Sequence, residues 1–92
     1  MTTLSPEDVP SLPRGVRLRF DTVRNKHMLL APERAFGLDP VAASVVEPVD
    51  GQRSVGAICD LLAERYGEKR EVIEGDVIAM LDDLLTKRVI ER

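Results

Sequence analysis

The sequence predicts an α+β fold: a three-stranded antiparallel meander followed by a three-helix bundle, in a winged-helix-like order. Three observations carry this. Apolar and charged residues alternate with period two from Val16 to Asp21, two further short extended runs follow, and beyond Asp39 the period lengthens to that of helices. The chain has 92 residues, 43% hydrophobic and 32% charged, with a formal charge of −3, which is ordinary composition for one small domain. A domain of this length buries only about 60–65% of its unfolded surface, so the core is modest and leaves little room for a deep catalytic pocket.

Residues 1–14, MTTLSPEDVPSLPR, hold three prolines and no periodic pattern, and are expected to form a flexible proline-rich arm ahead of a domain spanning 15–92. Leu4, Val9 and Leu12 are spaced so that the arm could dock on its own domain or on a neighbour; a disordered leader is the alternative. In strand one Val16, Leu18 and Phe20 alternate with Arg17, Arg19 and Asp21. The polar stretch Thr22 to Lys26, with Asn25 as its left-handed residue, turns the chain into strand two, His27 to Ala31. Pro32-Glu33-Arg34 interrupts, and Ala35-Phe36-Gly37-Leu38 forms the third extended piece.

Asp39-Pro40 is a helix start, because Asp at the cap accepts from free amides and Pro at the first position gives up no needed donor. Pro48 ends this helix near Val46, after about two turns burying Val41, Ala42 and Val45. Asp50-Gly51 marks a turn. Ser54 caps a second helix, about 54 to 66, with Val55, Ile58, Leu61 and Leu62 at helical spacing and Gly67 at its left-handed end. The third helix runs from about Glu71 to Lys87, acidic at its start and basic at its end as the helix dipole favours. Val89-Ile90 either continues it or adds a brief strand.

One histidine and one cysteine cannot build the common Cys/His zinc cages or an internal disulfide, so neither a metal nor a cofactor is expected. No apolar run approaches the roughly 18 residues of a membrane span, and the acidic, proline-rich start is unlike a signal peptide, which places the chain in the cytoplasm without a membrane partner. His27 lacks a nearby nucleophile, Cys59 reads as a small buried thiol and Tyr66 as a packed ring with its hydroxyl outward. Asp82 and Asp83 are helix neighbours that point about 100° apart, a solvated pair rather than an acid–base couple. No catalytic residue is indicated.

A winged-helix order also suggests a DNA-binding domain reading duplex with its third helix. Charge argues against nucleic acid: Glu71, Glu74, Asp76, Asp82 and Asp83 face only Lys87 and Arg88 there, and the basic hairpin tip, Arg24 and Lys26, is very small. The third helix is instead notable for its apolar width. Ile73, Val77, Leu81 and Leu84 form a central stripe, Ile78 and Leu85 extend one edge, Val72 and Met80 the other, and the arc reaches about 160° against the usual ~100°. Either the meander and arm cover this excess or it is a groove for a partner's side chains. If Ala35–Leu38 lies at the sheet edge, its free backbone groups could accept an added strand beside that helix.

The strings GVRLRFD, HMLLAPERAFGLD, DGQRSVGAICDLLAERY and EGDVIAMLDDLLTKRVI, in this order from about Gly15 to Ile90, resemble the PqqD family of pyrroloquinoline quinone biosynthesis. Leu29-Leu30-Ala31-Pro32-Glu33-Arg34, then Leu38-Asp39, Asp50-Gly51 and Ser54-Val55, are its most distinctive pieces. Pro48 departs from the family, which continues the first helix there. The resemblance implies a noncatalytic peptide chaperone that binds the ribosomally made precursor peptide PqqA and delivers it to the radical SAM enzyme PqqE. It further implies that the peptide adds to the third strand and packs on the third helix. On this chain the strand positions are Ala35, Phe36, Gly37 and Leu38, with Arg34 beside them for an acidic peptide side chain or simply solvated. Ile78, Leu81 and Leu85 are the helix positions chosen from the wheel, with Val72 and Met80 as the other edge. A monomer is expected, with dimerisation through the arm or the open edge as the alternative.

Overall fold

A computed structural model describes residues 4–92. Its elements are β1 (Arg17–Asp21), β2 (Lys26–Ala31), β3 (Arg34–Leu38), α1 (Pro40–Val46), α2 (Val55–Tyr66) and α3 (Arg70–Thr86). The α+β order of three antiparallel strands and then three helices is as the sequence predicts.

The sheet order is β1-β2-β3, with Leu18 opposite Leu29 and Leu29 opposite Phe36. Because side chains alternate across a sheet, these three share the face that packs on the helices, and Leu29 there is fully buried. At the β1–β2 loop Asn25 takes φ +56°, and the Asp21 carboxylate accepts the amides of Val23 and Arg24 at 2.9 and 3.1 Å. Between β2 and β3 the chain turns on Pro32 and Glu33 alone. Glu33 sits at φ +60°, a conformation that costs a residue with a Cβ about 1–2 kcal/mol.

The Asp39 side chain accepts the Ala42 amide at 2.7 Å to start α1, and Ser54 Oγ accepts the Ala57 amide at 3.1 Å to start α2. Between them, Asp50 accepts the amides of Arg53 and Gln52, which hold its carboxyl below the usual value. Gly67, at φ +65°, closes α2 with Glu68 N–H donating to Ala63 O and Gly67 N–H to Glu64 O. The same two-bond ending closes α3: Val89 N–H donates to Leu84 O and Arg88 N–H to Leu85 O, with Arg88 itself at φ +62°. Val89 and Ile90 therefore leave the helix and plug the core, and Glu91 then pairs with Ser11 in an isolated antiparallel bridge.

That bridge belongs to a larger feature. Where the sequence expected a flexible arm over 1–14, residues from Leu4 onward are laid on the domain; residues 1–3 fall outside the described part. Helix α2 begins with free amides that need acceptors, and the arm's carbonyls supply them. Val55 N–H donates to Asp8 O at 2.8 Å and Gly56 N–H to Pro6 O at 2.9 Å, while Gly51 N–H reaches Pro10 O at 3.1 Å. Gly56 has no Cβ for good reason, since one built there would lie 3.2 Å from Pro6 O and 2.9 Å from Arg70 Nη2. Leu4 is 2% exposed, and its amide donates to Asp82 Oδ1 at 2.9 Å.

Candidate functional site

Strand β3 is an edge: β2 occupies one side, and among the described residues no strand pairs with the other. Every second residue of Arg34–Leu38 therefore turns its N–H and C=O outward. Ala35 and Gly37 are exposed, Phe36 is half-buried, and Leu38 is buried against the core. At the start of the strand Arg34 Nη1 donates to the Lys87 carbonyl at 2.8 Å. The Arg34 guanidinium and the Lys87 ammonium both lie over the Phe36 ring, 5.6 and 5.8 Å from its centroid. Lys87 Nζ is also paired with Asp83 at 2.8 Å. These contacts pin the strand's first residue to the C-terminal end of α3.

They also decide which flank of α3 meets the sheet. At about 100° per residue, Asp76, Met80, Asp83 and Lys87 fall on one flank, and Glu74, Ile78, Asp82 and Leu85 on the other. The first flank carries the Lys87–Phe36 contact. On the second, Asp82 receives the Leu4 amide, and Arg70, 3.8 Å from Glu74, is 3.4 Å from Asp60 of α2. Arm and helix α2 thus hold the flank of Ile78 and Leu85, while Met80's flank faces β3 and α1. None of the three helix positions chosen from the wheel lies on Met80's flank. Leu81 is 0% exposed and belongs to the core, and Ile78 and Leu85 are half-buried away from the strand edge. Met80, named as the other edge, lies on the flank whose Lys87 reaches Phe36 of β3, and it faces α1 and α2; Val72 stays largely exposed.

Met80 also lines an apolar groove of ≈ 330 Å³ with Val41 and Val45 of α1, Tyr66 of α2, and Ile73, and Asp76 stands at its side. Val41 was expected to be buried by α1 but is 58% exposed, because this short helix turns its second residue toward the groove rather than the core. The Tyr66 hydroxyl does not point outward as expected: it donates to Ser44 Oγ at 2.8 Å, and Ser44 donates on to the Val41 carbonyl at 2.7 Å. This chain ties the end of α2 to α1 and fixes one groove wall. Sequence reasoning missed it, and missed the Arg34–Phe36–Lys87 stack, because each joins residues 22 or more apart whose types alone announce no pairing.

The remaining polar candidates do not converge. Asp82 and Asp83 serve separate partners, the arm and Lys87. His27 meets Phe20 edge-on at 5.0 Å. Cys59 is fully buried, and burial, with Glu74 and Asp60 nearby, pushes its thiol up. Among the described residues no three His, Cys, Asp or Glu side chains gather as a metal site would need, and no helix is long and apolar enough to cross a membrane.

An open strand flanked by a partly apolar helix face, on a small winged-helix-like body, defines a recognition domain built for an extended ligand. Known proteins agree with that class. Residues 26–90 match the family model of coenzyme PQQ synthesis protein D (PqqD). The chain is 54% identical over 91 residues to the bifunctional coenzyme PQQ synthesis protein C/D of Methylorubrum extorquens, covering 99% of itself but only 24% of that relative. It is 46% identical over 85 residues to the PqqA binding protein of Rhodopseudomonas palustris strain BisB5, covering 92% of itself and 83% of that protein. Among solved structures, it superimposes on the PqqD portion of Methylobacterium extorquens PqqCD with a TM-score of 0.85 at 54% identity, over 99% of this chain and 97% of that one. That solution structure is described as a functional, stand-alone recognition element for ribosomally synthesised and modified peptides. TbiB1, solved with the TbiA(beta) leader peptide, shares the fold at a TM-score of 0.74 and 22% identity, over 88% of this chain and 94% of that one. The chain belongs to the PqqD family.

Proposed function

We propose that this chain is a noncatalytic peptide adaptor that binds the precursor peptide PqqA along β3 and presents it to the radical SAM enzyme PqqE in the cytoplasm, as a monomer and without a cofactor. The observation that carries the reading is the free edge of Arg34–Leu38 lying beside the Met80 flank of α3. An added strand would satisfy the outward backbone groups of β3, and its alternate side chains would point toward Phe36, Met80 and the groove beyond. The exposed part of the Arg34 guanidinium suits an acidic peptide side chain, worth roughly 0–1 kcal/mol at such a surface. The names of the R. palustris relatives and the description of the M. extorquens structure support the peptide class.

The physical benefit is entropic. A flexible peptide held extended has already lost much of its conformational freedom, and tethering raises its effective concentration at an enzyme that also grips the adaptor. Titrating 15N-labelled protein with PqqA tests this: amide shifts are expected at residues 34–38 and around Asp76, Met80 and Asp83. Met80→Asp should weaken PqqA binding tenfold or more, whereas Leu85→Asp should lower the melting temperature first. Shifts confined to the hairpin tip, residues 22–25, would refute the reading.

A further inference from the structure

The sheet has a second face, and its chemistry differs from that of the rest of the molecule. Cross-strand pairing sets Arg19 opposite Met28 and Met28 opposite Gly37, and in the next row Arg17 opposite Leu30 and Leu30 opposite Ala35. Directly paired residues share a face, so all six lie on the side turned away from the helices. Lys26 joins them from the end of β2, its stem lying across Gly37: a Cβ built on that glycine would stand 2.7 Å from the Lys26 ammonium nitrogen. Met28 is itself buried, so the apolar surface offered here is that of half-buried Leu30, and the rim is cationic apart from Asp21, which stands opposite Lys26. A depression of ≈ 340 Å³ opens between Arg19, Phe20, Asp21, Met28, Leu30 and the hairpin tip, where Val23 is 93% exposed.

Charge is segregated along with it. Residues 17–26 carry Arg17, Arg19, Arg24 and Lys26 against Asp21 alone, a formal +3 on a chain of −3, which leaves −6 for the remainder. Salt screens single surface charges, but a cluster of one sign within a Debye length of about 8–10 Å steers an oppositely charged partner and sets its orientation.

We infer that this outer face, Arg17, Arg19 and Lys26 around Leu30, with Val23 at the tip, is the docking surface for an acidic, partly apolar protein surface on the enzyme that receives the peptide. Complementarity names the partner's chemistry: carboxylates for the arginines and Lys26, and apolar side chains for Leu30 and Val23. A nucleic acid fits less well, since few cations are offered and the Asp21 carboxylate, opposite Lys26, stands among them. The inference rests on the proposed function and adds geometry to it. A strand added to β3 would extend the sheet, so its outward alternate side chains would continue this face and come directly under a protein seated there.

The test uses the double variant Arg17→Glu/Arg19→Glu, with Arg17→Gln/Arg19→Gln as a milder companion, both checked for a native-like amide spectrum. Affinities are measured separately for PqqA, for PqqE, and for a 20-base-pair DNA duplex, at low and at physiological salt. Expected are PqqA affinity within twofold of the parent chain, PqqE binding weakened at least tenfold by the Glu pair and less by the Gln pair, and a shallower salt dependence of PqqE binding. PqqE binding within twofold of the parent overturns the inference while leaving peptide recognition intact. So does duplex binding that is lost in the variant while PqqE binding persists. Failure of the parent chain to bind PqqA would instead remove the proposed function itself.

Discussion

The docked arm gives the sharpest stability prediction, because Leu4 touches the domain through both its side chain and its amide. Leu4→Ala removes most of a side chain that is 2% exposed. Burying a leucine is worth about 1.5–3 kcal/mol, and truncations at sites that cannot collapse cost about 2–5. Leu4 sits in an irregular segment whose neighbours can relax, so the lower part of the range applies, about 2 kcal/mol. For a domain of this size that lowers the melting temperature by about 8–16 °C. The loss is also local. Val55 and Gly56 amides are covered by the carbonyls of Asp8 and Pro6, so hydrogen exchange at these two positions should speed up by about thirtyfold if 2 kcal/mol of protection is lost. Urea denaturation followed by circular dichroism gives the global value and exchange the local one. A change below about 0.5 kcal/mol with unaltered exchange at Val55 and Gly56 would show that the arm is not held by Leu4.

Three further outcomes follow from the same contacts. Glu33→Gly should stabilise the protein by about 0.5–1 kcal/mol in thermal melts, since glycine takes the left-handed turn position without a Cβ penalty and only part of the gain is offset by unfolded-state entropy. Tyr66→Phe should cost about 1 kcal/mol, measured the same way, by taking the donor from Ser44 Oγ; Ser44→Ala should cost less if water can serve the half-exposed tyrosine hydroxyl. Cys59 should react with Ellman's reagent only through opening of the domain. Because its thiol is raised above the ordinary 9.0, its stabilising contribution is complete below that pH and is lost above it, as the unfolded chain gains thiolate first. Cys59→Ala should flatten the alkaline fall in stability, and an unchanged pH profile would count against the burial argument.

Local chemistry was readable in the sequence wherever one residue determines the outcome. Asn25 in the hairpin, Asp39 and Ser54 as caps, and Gly67 as the left-handed stop stand where their side chains, or lack of one, require. Glu33 and Arg88 take the same left-handed conformation without its usual residue types, and nothing in their identity signals it. The strand half of the candidate site was likewise legible, since β3 follows from alternation and its edge position from being last in a meander. The helix half was not. A wheel gives the width of an apolar arc but not which flank the sheet will cover, and here the deciding contacts, Leu4 with Asp82 and Arg34 with Lys87, join residues 78 and 53 positions apart.

The clasp between Ser11 and Glu91 bears on how this chain reaches its final form during synthesis. The meander is made of near neighbours and can assemble as it leaves the ribosome, but the arm's partners, Asp82 and Glu91, and the plug of Val89 and Ile90 emerge only later. Until they do, the arm that caps α2 lacks those anchors, so a nascent chain stalled short of Glu91 would be soft at this end while its strands were already paired.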